Sequence, residues 1–352
     1  MNQTDPSINF ISDSFENTWR NVAFGILLLL TALAGIVYIL NSGVYTSVAM
    51  TQEESSTMVT RPLPKVTAGM QEYASHIVGG DIVFEHYIEG APRKREMFNP
   101  FDTRQLSAMS AFVKDINTGE MLYGKDMYEV RPIASITKLM TALVLEEYVT
   151  DWSMIGVIPR DTIYDSQVVA GERSTLEQWY QLGLVGSSNR AVLALVDATG
   201  IGRDRFVARM NEKALELGMV STIFVEPTGI DAGNVSTASE VAILLTEVLQ
   251  NEHIAHILGL HGVSHISPDA GQVRTISNTN WVLTRRVAHN FDIPVLGKTG
   301  FITQSGYNFT GRFVREQGYP VVVVVLGADA PTTRFSEAIL LANWSFANYY
   351  WE

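Results

Sequence analysis

A chain of 352 residues, 46% hydrophobic and 10% aromatic, carries enough apolar surface for a packed core, which excludes a disordered polymer. Its 37 acidic residues outnumber 25 basic ones, and the formal charge of −12 excludes the basic face that nucleic-acid binding requires. There is no cysteine, so disulfide frameworks, thiolate metal sites and thiol nucleophiles are excluded as well.

Residues Val22 to Leu40 are nineteen uncharged, mostly apolar positions. At ~1.5 Å per residue, a helix of that length roughly matches a ~30 Å hydrocarbon core, so a single membrane span is expected over 22–40. A secretory signal would have a shorter apolar region of about 7 to 15 residues, although Ser47-Val48-Ala49 offers a small-residue cleavage site. Arg20 is the one basic residue on the N-terminal flank and none follows the span before Arg61, which makes residues 1–21 a short cytoplasmic tail and sends the rest outside. From 41 to 97 the composition turns to Ser, Thr, Gln, Glu and Pro, with Arg61-Pro62-Leu63-Pro64-Lys65 as the stiffest part, and reads as a tether. Within it, His76 to Glu89 could supply one or two short strands around Gly79-Gly80, and Pro92 to Glu96 reads as a solvated charge run ahead of a folded domain over 98–352.

In that domain, Ala111 to Tyr123 predicts a hairpin turning at Asn117-Thr118-Gly119. A helix opens near Ser135; Glu172 to Leu195 holds two helical stretches interrupted at Val185 to Asn189; Arg203 to Leu217 is amphipathic and stops at Gly218. Ser239 to Leu249 is a further helix with Ser239 or Thr237 as its cap. Pro294 to Ile302, Asn308 to Arg315 and Pro320 to Ala328 read as three strands, the last with the unbroken apolar run Val321 to Leu326 of a central strand, and Phe335 to Tyr350 as a closing helix. Strands at both ends with helices between them predict an α+β domain whose terminal strands share one sheet.

Ser135 and Lys138 stand three positions apart at the start of the apolar run Leu139, Met140, Ala142, Leu143, Val144, Leu145. Residues i and i+3 share a helix face, so hydroxyl and amine can meet without help from the rest of the fold. An amine so placed takes the hydroxyl proton once burial or a second cation lowers its pKa toward neutrality. The positive end of the helix favours an oxyanion beside Ser135. Taken alone, the pattern fits a capping serine and a solvated lysine better. Two downstream motifs answer it: Ser187-Ser188-Asn189, by itself a polar loop, and Lys298-Thr299-Gly300, by itself a strand ending in a solvated lysine. The trio is close to the set shared by serine β-lactamases and penicillin-binding proteins, with Ser188 where that set has Asp.

The stretch from about Ser107 to Trp351 resembles the low-molecular-mass penicillin-binding proteins, the D-alanyl-D-alanine carboxypeptidase and endopeptidase family. Besides the trio, the matching pieces are Gly171-Glu-Arg, Met210-Asn211 with Leu217-Gly-Met219, Pro227-Thr-Gly-Ile-Asp231, Asn234-Val-Ser-Thr-Ala238, Asn278-Thr-Asn280 and Gly306-Tyr307. The resemblance implies a β-lactamase/DD-peptidase-like fold: an antiparallel sheet flanked by helices, with a helical subdomain and the site in the groove between them. It implies that Ser135 attacks the carbonyl of the penultimate D-alanine with Lys138 as general base. Backbone N–H groups of Ser135 and Phe301 would form the oxyanion hole. Ser187 would relay a proton to the departing amine, helped by Lys298, whose charge also attracts the anionic peptide end. Asn189 would hydrogen-bond the substrate peptide, and Gly300 would lie on the substrate-lining strand. Thr299 and Arg334 are the candidates for the terminal carboxylate; a guanidinium fork suits a carboxylate, while Arg334 also fits a helix-start residue facing solvent.

On this reading the chain is a single-pass enzyme with its catalytic domain outside the cytoplasm. It acts on peptidoglycan stem peptides, is acylated by β-lactams and needs no cofactor or metal. Three alternatives stay open. A D,D-endopeptidase would use the same constellation. A sensor or wall-binding protein would acylate without turnover. A class A β-lactamase would need a Glu in an E-x-x-L-N pattern, and Phe224 to Asp231 has Glu226 without that pattern. One feature departs from the family pattern: Ile302 stands where many relatives have Thr, with Thr303 expected on the opposite strand face. The run His253, His256, His261 and His265 matches no metal-ligand spacing and is expected at the surface or a strand edge.

Overall fold

The computed structural model describes residues 90–160, 163, 165, 167–266, 273–315 and 318–351. The membrane span expected over 22–40, its tail, and the tether with the strands expected within 76–89 lie outside the described residues. Among the described residues no helix is long and apolar enough to cross a membrane.

The hairpin forms as expected from β2 (Ser110–Asp115) and β3 (Met121–Lys125). Gly119 takes φ +76°, a region open to glycine, and the Asp115 carboxylate accepts from the Thr118 N–H at 2.7 Å and its hydroxyl at 2.8 Å. Near the other end come β10 (Leu296–Ile302), β11 (Gly306–Val314) and β12 (Pro320–Ala328). The two groups join in one antiparallel sheet of order β10-β11-β12-β2-β3. In β12, Val321, Val323 and Val325 pack into one core and Val322, Val324 and Leu326 into another, so an unbroken apolar run marks a strand covered on both faces. One cover is helix α7 (Thr333–Asn348), whose Phe335, Ala338, Leu341 and Ala342 lie at helical spacing against the sheet.

The other face carries the helices α1 (Thr137–Tyr148), α2 (Leu176–Val185), α3 (Asn189–Ala198), α4 (Arg203–Glu216), α5 (Ala238–Val248) and α6 (Glu252–Leu258), which share a single core. Thr237 caps α5, accepting the Glu240 N–H at 3.1 Å. Three two-stranded ribbons tie the loops: β4 (Arg131–Pro132) with β7 (Val235–Ser236), β5 (Ile155–Val157) with β6 (Arg173–Thr175), and β8 (Gly262–Ile266) with β9 (Val273–Ser277).

The structure departs from expectation at both ends. Pro92–Lys94, read as a charge run, is strand β1 and pairs antiparallel with β13 (Tyr349–Trp351), into which the closing helix resolves after Asn348. The pairing is made by backbone groups while the Arg93 and Lys94 side chains stay exposed, so composition alone could not reveal it. Helix α6 and the β8–β9 ribbon, not read from the sequence, carry the histidine run. His265 is fully buried on β8 against the equally buried Glu172, and His253 bridges Glu146 at 3.0 Å and Glu177 at 2.9 Å, so neither is a free surface residue.

Candidate active site

Ser135 sits in a one-turn 3-10 segment, Ala134–Ile136, that runs directly into α1. The expected one-turn separation holds: Lys138 Nζ lies 2.9 Å from Ser135 Oγ. Two more acceptors fix the amine, Asn189 Oδ1 at 2.7 Å and the Thr228 carbonyl at 2.6 Å. Lys138 is 1% exposed, and burial brings its pKa down to about 7, with the carboxylates of Glu226 and Asp165 pulling the other way. An amine of that affinity beside a hydroxyl can take its proton at neutral pH.

The nucleophile turn is wedged between two glycines. Ala134 has φ +50°, a strained value for a residue with a Cβ. Gly229 (φ +84°) lies so close that a Cβ there would overlap the Ala134 carbonyl, and a Cβ at Gly300 on β10 would come 2.6 Å from the Ile133 carbonyl. Edge strand β10 therefore lies flush against the turn, which brings the Lys298-Thr299-Gly300 motif to Ser135. The Gly229 loop is held by Glu226, whose carboxylate accepts from Thr228 N–H and hydroxyl, Gly229 N–H and Asn234 Nδ2.

Ser187 joins from a third direction. It precedes α3 with φ +61°, and its hydroxyl accepts from Lys298 Nζ at 2.9 Å. Lys298 is buried; desolvation pushes its amine well below the usual lysine range, and the positive charges of Lys138 and Arg334 push it the same way. Thr299 Oγ1 meets Thr279 Oγ1 at 2.8 Å. Phe301 is half exposed at the end of the motif and stacks on Tyr307 with ring centroids 4.3 Å apart. Arg334, in the first turn of α7, is nearly buried: Nη1 donates to the Gly300 carbonyl at 3.2 Å, the guanidinium lies against the Phe335 ring, and burial lowers its pKa to about 10.

Lys138 thus meets Ser135 and Asn189, Lys298 meets Ser187 and the Thr299 carbonyl, and Arg334 meets the Gly300 carbonyl; the short motifs join these sets along the chain, with Phe301 next in strand. Sequence reasoning did not assign a role to the Thr228 carbonyl, Thr279 or Asp165, and weighed Glu226 only as a water activator. The Pro227 to Asp231 and Asn278 to Asn280 pieces carried the signal for the first two. Thr303 falls in the exposed β10–β11 turn, off the strand altogether. Among the described residues no group of three or more His, Asp or Glu side chains could hold a metal ion.

The chain is similar to known proteins in sequence and in fold. The profile of the D-alanyl-D-alanine carboxypeptidase family matches residues 97–330. A D-alanyl-D-alanine endopeptidase of Pseudomonas aeruginosa is 32% identical over 262 residues, covering 68% of this chain and 78% of its own. Penicillin-binding protein D2 of Listeria monocytogenes in its cefotaxime-bound form superposes with a TM-score of 0.60 at 29% identity, over 70% of this chain and all of that one. A D-alanyl-D-alanine carboxypeptidase of Mycobacterium tuberculosis gives a TM-score of 0.63 at 25% identity, over 74% of this chain and 96% of that one. With the family matched over most of the chain, and a serine and a lysine of lowered pKa in contact at its centre, this chain belongs to the D-alanyl-D-alanine carboxypeptidase family of serine peptidases.

Proposed function

We infer that this enzyme removes the terminal D-alanine from peptidoglycan stem peptides through an acyl-enzyme on Ser135, outside the cytoplasm, anchored by residues 22–40. The observation that carries the reading is the 2.9 Å contact of Ser135 Oγ with a buried lysine whose pKa lies at about 7. Neutral Lys138 takes the hydroxyl proton as Ser135 Oγ bonds to the penultimate D-alanine carbonyl carbon. The N–H groups of Ser135 and Phe301 receive the charge that develops on the carbonyl oxygen. The C–N bond then breaks, and the proton held by Lys138 returns to the departing amine through Ser187, beside Lys298. Asn189 holds the peptide while Thr299 and Arg334 receive its terminal carboxylate. Water cleaves the ester with Lys138 again as base. A β-lactam enters by the same attack, except that its amine stays tethered.

The four donors on Glu226 support a peptidase rather than a β-lactamase, because a carboxylate so occupied is not free to activate water. A second reading, D,D-endopeptidase on crosslinks, is favoured by the name of the Pseudomonas aeruginosa relative. Product analysis on a pentapeptide muropeptide and on a crosslinked dimer separates the two. Release of free D-alanine by the wild type and not by Ser135→Ala is expected; loss of the dimer alone gives the endopeptidase, and no serine-dependent cleavage of either removes both.

A further inference from the structure

The middle position of the second motif is Ser188 here, and the structure supplies a carboxylate to it from elsewhere in the chain. Asp165 Oδ2 accepts from Ser188 Oγ at 2.6 Å and from the Arg190 N–H at 3.1 Å, the two residues flanking Asn189. Asp165 Oδ1 accepts from the Gln167 N–H at 2.8 Å, and Gln167 Nε2 donates to the Gly186 carbonyl at 2.6 Å, so the segment holds the motif on both sides. Ser188 is 1% exposed and is also the N-cap of α3, accepting from the Ala191 N–H at 3.1 Å. The next residue, Asn189, accepts from Lys138 Nζ at 2.7 Å. Asp165 thus binds the two residues that flank Asn189 in the chain, and Asn189 in turn accepts from the general base.

We propose that Asp165 is a positioning residue that holds Ser188 and the first turn of α3 from a separate loop, so fixing Asn189 against the general base Lys138 and placing a negative charge in range of that amine. The proposal rests on the reading of Lys138 as the base acting on Ser135. Lys138 lies in range of Asp165 and of Glu226 from the Gly229 loop, and both carboxylates stabilise its protonated form against desolvation, with Lys298 of β10 the other titratable group of the crevice.

The test is the rate of covalent labelling of the full-length protein by a fluorescent penicillin from pH 5 to 9, with thermal midpoints of each variant alongside. Asp165→Asn keeps the size and one acceptor but loses the charge; the acid limb of labelling is expected to move to lower pH by about 0.5 unit. Asp165→Ala is expected to label roughly tenfold more slowly at the plateau, and Asp165→Ala with Ser188→Asp, which returns a carboxylate to the motif, to recover to within about threefold of wild type. An unmoved limb in Asp165→Asn, or a folded Asp165→Ala that labels like wild type, overturns the proposal. So does a folded double variant no faster than Asp165→Ala. Failure of the wild type itself to label would remove the acyl-enzyme reading, a result distinct from all of these.

Discussion

The two lysines of the crevice are both buried, yet the walls that hold them differ in sign. On the helical wall Lys138 has three acceptors within 2.9 Å and two carboxylates in range, which hold its pKa at about 7 against desolvation. On the sheet wall Lys298 meets Ser187 Oγ and a backbone carbonyl, and desolvation, with the positive charges of Lys138 and Arg334 acting the same way, pushes its amine well below the usual lysine range. Burial alone makes a lysine a weaker base; nearby carboxylates decide whether it stops near neutrality. The helical wall is thus arranged for proton exchange, and the sheet wall for orientation and proton relay.

Substituting each lysine tests that division. Lys138→Ala should slow labelling by fluorescent penicillin about 10⁴-fold, because the nucleophile loses its base. Lys298→Ala should cost about 10²-fold, and equal losses would dissolve the distinction. Gly229→Ala, by pushing on the Ala134 carbonyl, should displace the nucleophile turn and also cost about 10²-fold in labelling, with the sheet-side contacts of Lys298 untouched; a wild-type rate there would show that the turn is not wedged. Below about pH 7 the labelling rate should fall tenfold per pH unit, since only the neutral fraction of Lys138 acts as base. A limb at the usual lysine range would mean that the helical wall does not lower this pKa. The smallest effect on activity belongs to Trp351→Ala, remote from both walls. Losing its Tyr319 stack and its 2.9 Å bond to Asp115 should lower stability by about 2 kcal/mol in denaturant unfolding, while labelling stays within about twofold.

What could be read in advance follows the range of the interaction. The i, i+3 pair Ser135 and Lys138, the hairpin at Gly119, the apolar run of β12 and the Thr237 cap of α5 are local, so the sequence alone shows them. Three motifs far apart in the chain became legible together because their order and residue types fit one chemistry. Thr228 was hidden because its contribution is a carbonyl, which every residue carries. Asp165 was hidden because its partner is 23 positions away in an irregular segment, and Glu226 because an acidic residue in a loop is ordinary until four donors are seen to converge on it. The β1–β13 ribbon was hidden because strand pairing of three residues leaves no periodicity to detect.

That ribbon has a mechanical corollary. Among the described residues, the segment from β1 is held to the body of the enzyme by pairing along Pro92–Lys94, by the bonds of Arg95 and Asn99 to Asn348 and by the aromatic contacts of Phe98 with Trp344 and Tyr349. A pull transmitted from that side would unzip a short seam beside the chain's last residues before any load reached the sheet edge at β10, leaving the crevice undisturbed. A reporter fused after Trp351 would sit beside that attachment and would sense its detachment.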